Sequence, residues 1–263
     1  MKKIVALLLS LVMVLSLVAC GGNDTTKSDL EKVKDAGKLV VGITEFEPMD
    51  YKDKDGNWVG FDADMATAFA EYLGVEVDFE VIVDWTNKHL ELNNGSYDCV
   101  WNAMTLTDEV TAEMACKAYC NNHQVVVVKA DKADQYTTEE SVENLVFAVE
   151  RGSAGEAEAK ARGWETNGVD DQASALTEVK AGASDAAIVD YLMAVAMVGP
   201  NTDFSNLVAT SIYVSDEELG VGFRKDSDLL PELEKFFEKA YADGTMMKCA
   251  KKYGLEDDII EQK

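Results

Sequence analysis

Few residues of this 263-residue chain stand in patterns that carry chemistry by themselves. Asp53-x-Asp55-x-Asn57 has the alternating oxygen donors of a calcium loop, but Trp58 stands where the sharp-turn glycine belongs. The Asp55-Gly56 step therefore reads as a hairpin turn. Cys99, Cys116, Cys120 and Cys249 show no C-x-x-C spacing and no accompanying histidine, which argues against a metal. Disulfides among them stay open, with three full pairings possible. Cys99, inside an apolar run, reads as a small buried hydrophobe. His89 and His123 stand far apart without a motif around either, and no G-x-S-x-G or phosphate loop occurs. Asp190 closes the apolar run Ala186 to Val189. A carboxylate at a strand edge can take a charge-assisted hydrogen bond from a ligand nitrogen in a desolvated cleft, or cap the helix expected over 191–197.

The elements that would position such groups alternate. Lys38 to Thr44 reads as a strand, followed by the hairpin over Tyr51 to Trp58. Met65, Phe69 and Leu73 recur at helical spacing, with Asp62 as the expected cap and Gly74 as the stop. Val75 to Val83, Tyr97 to Asn102, Gln124 to Lys129, Leu145 to Glu150 and Ala186 to Asp190 read as strands; Ser153 to Arg162 and Ala173 to Ala181 read as helices. His89 falls on a short polar helix and His123 in a loop. Asp228 to Asp243 reads as the final amphipathic helix. Such alternation predicts α/β layers with largely parallel sheets.

The first 19 residues, with Lys2, Lys3 and an apolar run from Ile4 to Val18, read as a signal peptide, too short for the roughly 20 residues of a membrane span. The run ends in Leu17-Val18-Ala19-Cys20, which resembles a bacterial lipobox with Cys20 as lipid carrier. Gly21 to Ser28 is small and polar, so residues 20–37 are expected to hold the lipidated cysteine and a flexible tether, with folding starting near Asp29. Removal of Lys2 and Lys3 takes the 24 basic side chains to 22 against 49 acidic, a formal charge of −27. That excludes nucleic acid as a partner and favours cationic solutes at long range. About 235 residues after the tether exceed one core and predict two lobes.

Gly60-Phe61-Asp62-Ala63-Asp64-Met65-Ala66 resembles the polar amino acid binding family of extracellular solute-binding proteins. Further matches follow in family order: Phe46 with Pro48-Met49, Gly95 to Asp98, Met104 to Glu109, Gly152 to Glu156, Ser184 to Asp190 and Gly220 to Lys225. The resemblance implies an α/β, two-lobed periplasmic-binding-protein-like fold with two hinge crossover strands, near Val128 to Asp131 and Ser211 to Gly222. Lobe one is then 38–128 with 213–263, and lobe two 129–212. It implies a monomer without cofactors, not an enzyme, that passes its solute to an ABC permease and its ATPase subunits. Its place would be the extracellular face of the cytoplasmic membrane, held by lipid on Cys20.

In that family the ligand ammonium is held by an aspartate, which Asp190 matches, and the side chain by aromatic walls, which Phe46 and Trp85 match. Asn102, Ala103 and Thr105 match positions offering backbone and hydroxyl groups. The carboxylate side departs from the pattern. Val110 stands where the arginine of Thr-x-x-Arg is expected, and Ala154 follows Gly152-Ser153 where a second hydroxyl should be. Ser153 and the amides opening its helix remain as weak anion acceptors. Three readings follow: a solute without an α-carboxylate, such as a small or aromatic amine; Arg151 swinging in as a substitute; or lost affinity. The rival class is an enzyme resembling the periplasmic dehydratases built on this scaffold, for which Glu45 and Asp190 are the available acid or base.

Overall fold

The computed structural model describes residues 27–263; the expected signal segment, Cys20 and the tether up to residue 26 lie outside the described residues. Ten strands appear among them: β1 (Lys38–Ile43), β2 (Tyr51–Lys52), β3 (Trp58–Val59), β4 (Glu76–Val81), β5 (Cys99–Thr105), β6 (Ala115–Lys129), β7 (Val146–Glu150), β8 (Glu165–Val169), β9 (Ala186–Asp190) and β10 (Leu207–Phe223). Eight of them form one sheet in the order β4-β1-β5-β10-β6-β9-β7-β8, while β2 and β3 pair as the expected hairpin. Asp53 Oδ1 accepts from the Asp55 and Asn57 amides at 2.9 Å, so this carboxylate closes the turn.

The sheet divides into two lobes. At one end β4, β1 and β5 run parallel, and at the other β8, β7 and β9 do the same. Antiparallel β6 and β10, of 15 and 17 residues, join them and belong to both. Each end buries its own apolar faces. In the first lobe the helix Phe61–Leu73 sets Phe61, Met65, Phe69 and Leu73 against the sheet, one side chain per turn. Phe69 packs 5.4 Å from Phe236, and Trp101 packs edge-on 5.5 Å from Phe237. In the second lobe Phe147 stacks 4.7 Å from Trp164 on one face, while Ala175, Leu176 and Val179 cover the other. The β9 residues Ala186 to Asp190 are all buried, as expected of a parallel strand covered on both sides.

Several expectations change. The tether, drawn as far as residue 37, gives way to a helix at Asp29–Ala36, because Ser28 and Glu31 form a capping box and Val33 enters the core. Arg224 fastens that helix at 2.8 Å to Asp29. The chain leaves the first lobe earlier than the expected Val128 to Asp131: β6 bridges Ile259 at Cys120 but pairs with β9 from Gln124 onward. β10 pairs with β6 throughout, with register shifts between Ala209 and Gly220, and adds β5 on its other edge from Leu219 onward. His123 lies within β6, not in a loop, and a further helix, Thr245–Tyr253, follows the amphipathic helix Leu229–Ala242. The four cysteines Cys99, Cys116, Cys120 and Cys249 are free thiols.

Asp62 is not the helix cap. Gly60 holds that position at φ +127°, and the Asp62 side chain turns inward, accepting from the Ala103 amide and the Tyr119 hydroxyl at 2.7 Å each. A β-carbon on Gly60 would lie 2.0 Å from the Met49 carbonyl oxygen. Strain and overlap together predict that Gly60→Ala destabilises the fold by about 3 kcal/mol, read as a lower urea midpoint with unchanged m-value.

Candidate functional site

A cavity of about 320 Å³ opens between the lobes at the carboxyl ends of five parallel strands. The first lobe contributes Thr44, Glu45 and Phe46 after β1, Asn102 to Thr105 ending β5, Trp85 with Lys88 after β4, and Thr107 to Val110. The second contributes Glu150 ending β7, Gly152 to Ala154 beyond it, Asp190 ending β9, and Asp171 with Gln172. Carboxyl ends of parallel strands face one edge of a sheet, which is why residues distant in sequence converge there. The lobes touch beside the cavity: a β-carbon on Gly152, which sits at φ +73°, would lie 2.8 Å from Thr86 Cγ2.

Asp190 is 3 % exposed and does not cap the helix Tyr191–Met197. Its oxygens accept instead from amide side chains, Gln172 Nε2 on Oδ2 and Asn122 Nδ2 on Oδ1, while its own amide donates to Gln172 Oε1 at 2.8 Å. Burial raises its carboxyl above the usual range, and the amide donors work against that rise. Asn122 Nδ2 also donates to Glu217 Oε1 at 2.7 Å, and Gln124 Nε2 does so at 2.8 Å. Burial and then the Asp190 charge push Glu217 up to about 8. Glu150, 6 % exposed, is pushed up to about 8 by burial, then by Asp190 and Asp171, with Lys88 opposing. Three carboxyls thus sit at or beside the second-lobe wall with less positive charge than they need.

Most of the other sequence candidates line the cavity, but several have their polar groups engaged. Phe46 and Trp85 are buried walls. Asn102 spends its amide on Thr44, accepting from the Thr44 amide at 2.6 Å and donating to Oγ1 at 2.7 Å. The Ala103 amide, expected to be offered to ligand, is held by Asp62. Thr105 and exposed Glu45 line the space. Val110 joins the apolar cluster of Trp85 and Met114. Ser153 Oγ accepts from the Glu156 amide at 3.1 Å, and Glu156 Oε2 takes the Gly152 amide at 3.0 Å. An acidic side chain therefore fills the helix start that was expected to accept an anion, and Ala154 adds only a methyl group.

Arg151 is the clearest correction. Its guanidinium bonds Asp170 and the Gly168 carbonyl, is largely exposed, and is absent from the cavity lining. β7 ends at Glu150, which lines the cavity, while Arg151 begins the turn that follows and is held by Asp170 and Gly168. Sequence reasoning missed Glu150, Gln172 and Lys88. A signal existed for two of them: Glu150 ends an apolar strand just as Asp190 does, and Lys88 follows Trp85 by three residues, on the same helical face.

The fold has counterparts. The L-cystine-binding protein TcyA of Bacillus subtilis (strain 168) is 30% identical over 274 residues, covering 98% of this chain and 99% of that protein. A crystal structure of an ABC uptake transporter substrate binding protein from Streptococcus pneumoniae with bound histidine superposes with a TM-score of 0.82 at 27% identity, over 90% of this chain and 100% of that one. The ancestral amino acid-binding protein AncCDT-1, described as a precursor of cyclohexadienyl dehydratase, gives a TM-score of 0.79 at 29% identity, over 86% and 99%. The model of the bacterial extracellular solute-binding proteins, family 3, matches residues 39–256, and the chain belongs to that family.

Proposed function

We propose that this protein captures a small amine-bearing solute, an amino acid or a related amine, outside the cell and hands it to an ABC permease. The observation that carries the reading is Asp190: a buried carboxylate on the cavity wall, hydrogen-bonded by the Gln172 and Asn122 amides and, among the described residues, without a cation in contact, with Glu150 lining the same wall. A charged carboxylate kept out of water needs a positive partner, and amide donors supply only part of one. A ligand ammonium supplies the rest, with Phe46 and Trp85 as apolar walls around it. The relatives named above, one binding L-cystine and one bound to histidine, take solutes of this class. In the same reading residues 1–19 are a cleaved signal, Cys20 carries lipid, and the protein works as a monomer on the extracellular face of the membrane.

A second reading, a dehydratase-like enzyme, draws on AncCDT-1 and on Glu150, whose proton is held to about 8 and is available for acid chemistry. Turnover of a bound compound would favour it over capture.

A thermal-shift screen of the purified protein against amino acids and amines tests the capture reading. A true ligand at 100 times its dissociation constant adds about 2.7 kcal/mol of stability. Asp190→Asn is expected to weaken that ligand at least about 100-fold, as loss of one partner of a buried charged pair does. Unchanged affinity in the variant would remove the assignment.

The acidic wall also fixes a pH dependence. Folded Glu150 keeps its proton up to about 8, whereas the unfolded side chain releases it near 4.5. Its contribution to ligand-free stability is therefore complete below about 4.5 and lost as pH rises through about 8. The unfolding midpoint without ligand is expected to fall between roughly pH 5 and 9, and Glu150→Gln to flatten that fall. A variant with the wild-type slope would show that Glu150 is not the group responsible.

A further inference from the structure

Position 110 brings no cation to the cavity, yet the cavity is not without one. Lys88 lines it, 8 % exposed, and among the described lining residues it is the only lysine or arginine. It lies on the first-lobe wall that also carries Val110. Its ammonium donates to the Trp85 carbonyl at 3.2 Å and stands 4.7 Å from the Trp85 ring centroid. No carboxylate among the described residues lies within ion-pair distance of it, although Glu150 faces it across the cavity and Glu109 and Asp84 flank it. An ammonium has three donors, and one is used here. Burying that charge without a partner is unfavourable by several kcal/mol, and a lysine with no role would escape to water along its flexible stem.

Among the buried charges the arrangement is bipolar: Asp190 and Glu150 on the second-lobe wall and the Lys88 ammonium on the first, where the acidic lining residues Glu45, Asp108, Glu109 and Glu113 are exposed. A solute bridging the lobes would meet negative charge at one end and positive charge at the other. We infer that Lys88 anchors a carboxylate of the solute, in place of the arginine absent at position 110, so that the site selects amino acids over the corresponding amines. This rests on the capture reading, with Asp190 at the ammonium end. Lysine offers a point charge without the planar fork of arginine, so one carboxylate oxygen is held in place of two.

Two ligand pairs differing only in the carboxylate test it by calorimetric titration of the purified protein: L-cystine against cystamine, and L-histidine against histamine. In the wild type at least one amino acid is expected to bind 100-fold tighter than its amine. In Lys88→Met the amino acid should fall to the level of the amine, whose own affinity stays within a factor of three. Lys88→Arg should restore most of the preference. Equal binding of amino acid and amine by the wild type overturns the inference while leaving Asp190 as ammonium anchor. Equal weakening of both ligands in Lys88→Met overturns it too, by making Lys88 a packing residue of the Trp85 wall. Binding of none of the four compounds would overturn the inference for these solutes, while the capture reading stands or falls on the wider thermal-shift screen.

Discussion

The site depends on negative charge held out of water without a matching cation of its own. Asp190 could have been neutralised by an arginine, or left at the surface, where it would have no strong preference for any partner. Instead Gln172 and Asn122 surround it with donors that orient its oxygens but carry no charge. Glu150 and Glu217 then share the same poorly solvated region, so each raises the free energy of ionising the others. The cavity is accordingly a place where a cation is worth more than in bulk water. In the proposed capture of an amine, binding and neutralisation would be one event.

The same carboxyls are wired into the strands that join the lobes. Asn122 on β6 bonds both Asp190, ending β9, and Glu217, on β10. Both crossing strands thus meet the ligand-side acid through one amide. Around that point β10 carries several register shifts, so the ladder between the crossing strands is interrupted where a hinge would need to bend. A charge change at Asp190 alters hydrogen bonds made by both crossings, a direct physical route from occupancy to lobe geometry. The contact between Gly152 and Thr86 marks where the lobes meet, and its tightness leaves no room for a side chain there.

How much of this was legible in the sequence depended on whether local pattern or tertiary pairing fixed the element. The helix Phe61–Leu73 and the strand Ala186–Asp190 carry their periodicity openly, and Asp190, Phe46 and Trp85 stand on or beside such elements. The stretches Asn121 to Gln124 of β6 and Ser215 to Glu218 of β10 do not: both are polar, and they are strands because each pairs with the other. That is why one crossing was expected too late in the chain. Arg151 misled because its charge suited the missing anchor. In the structure it lies in the turn after β7, bonded to Asp170 and the Gly168 carbonyl, while Glu150, the last strand residue, lines the cavity. Lys88 was harder to find: its spacing from Trp85 puts it on the same helical face, but a lysine on a short polar helix reads as solvated surface until its burial is known.

Asp62 shows how a motif residue with no ligand contact can still shape the site. Ala103, on the cavity wall, has φ +47°, a conformation costing an L-residue about 1–2 kcal/mol. Its amide is held at 2.7 Å by Asp62 Oδ2, which also takes the Tyr119 hydroxyl at 2.7 Å. Burial raises the Asp62 carboxyl to about 7, and burial together with the Asp62 charge raises that of Asp50, wholly buried nearby. The strained turn at Ala103 directs the end of β5 along the cavity toward Thr105. In this account the Gly60-Phe61-Asp62 segment braces the wall: Gly60 lets the helix start against Met49, Phe61 seals the core, and Asp62 fixes the backbone that the solute meets.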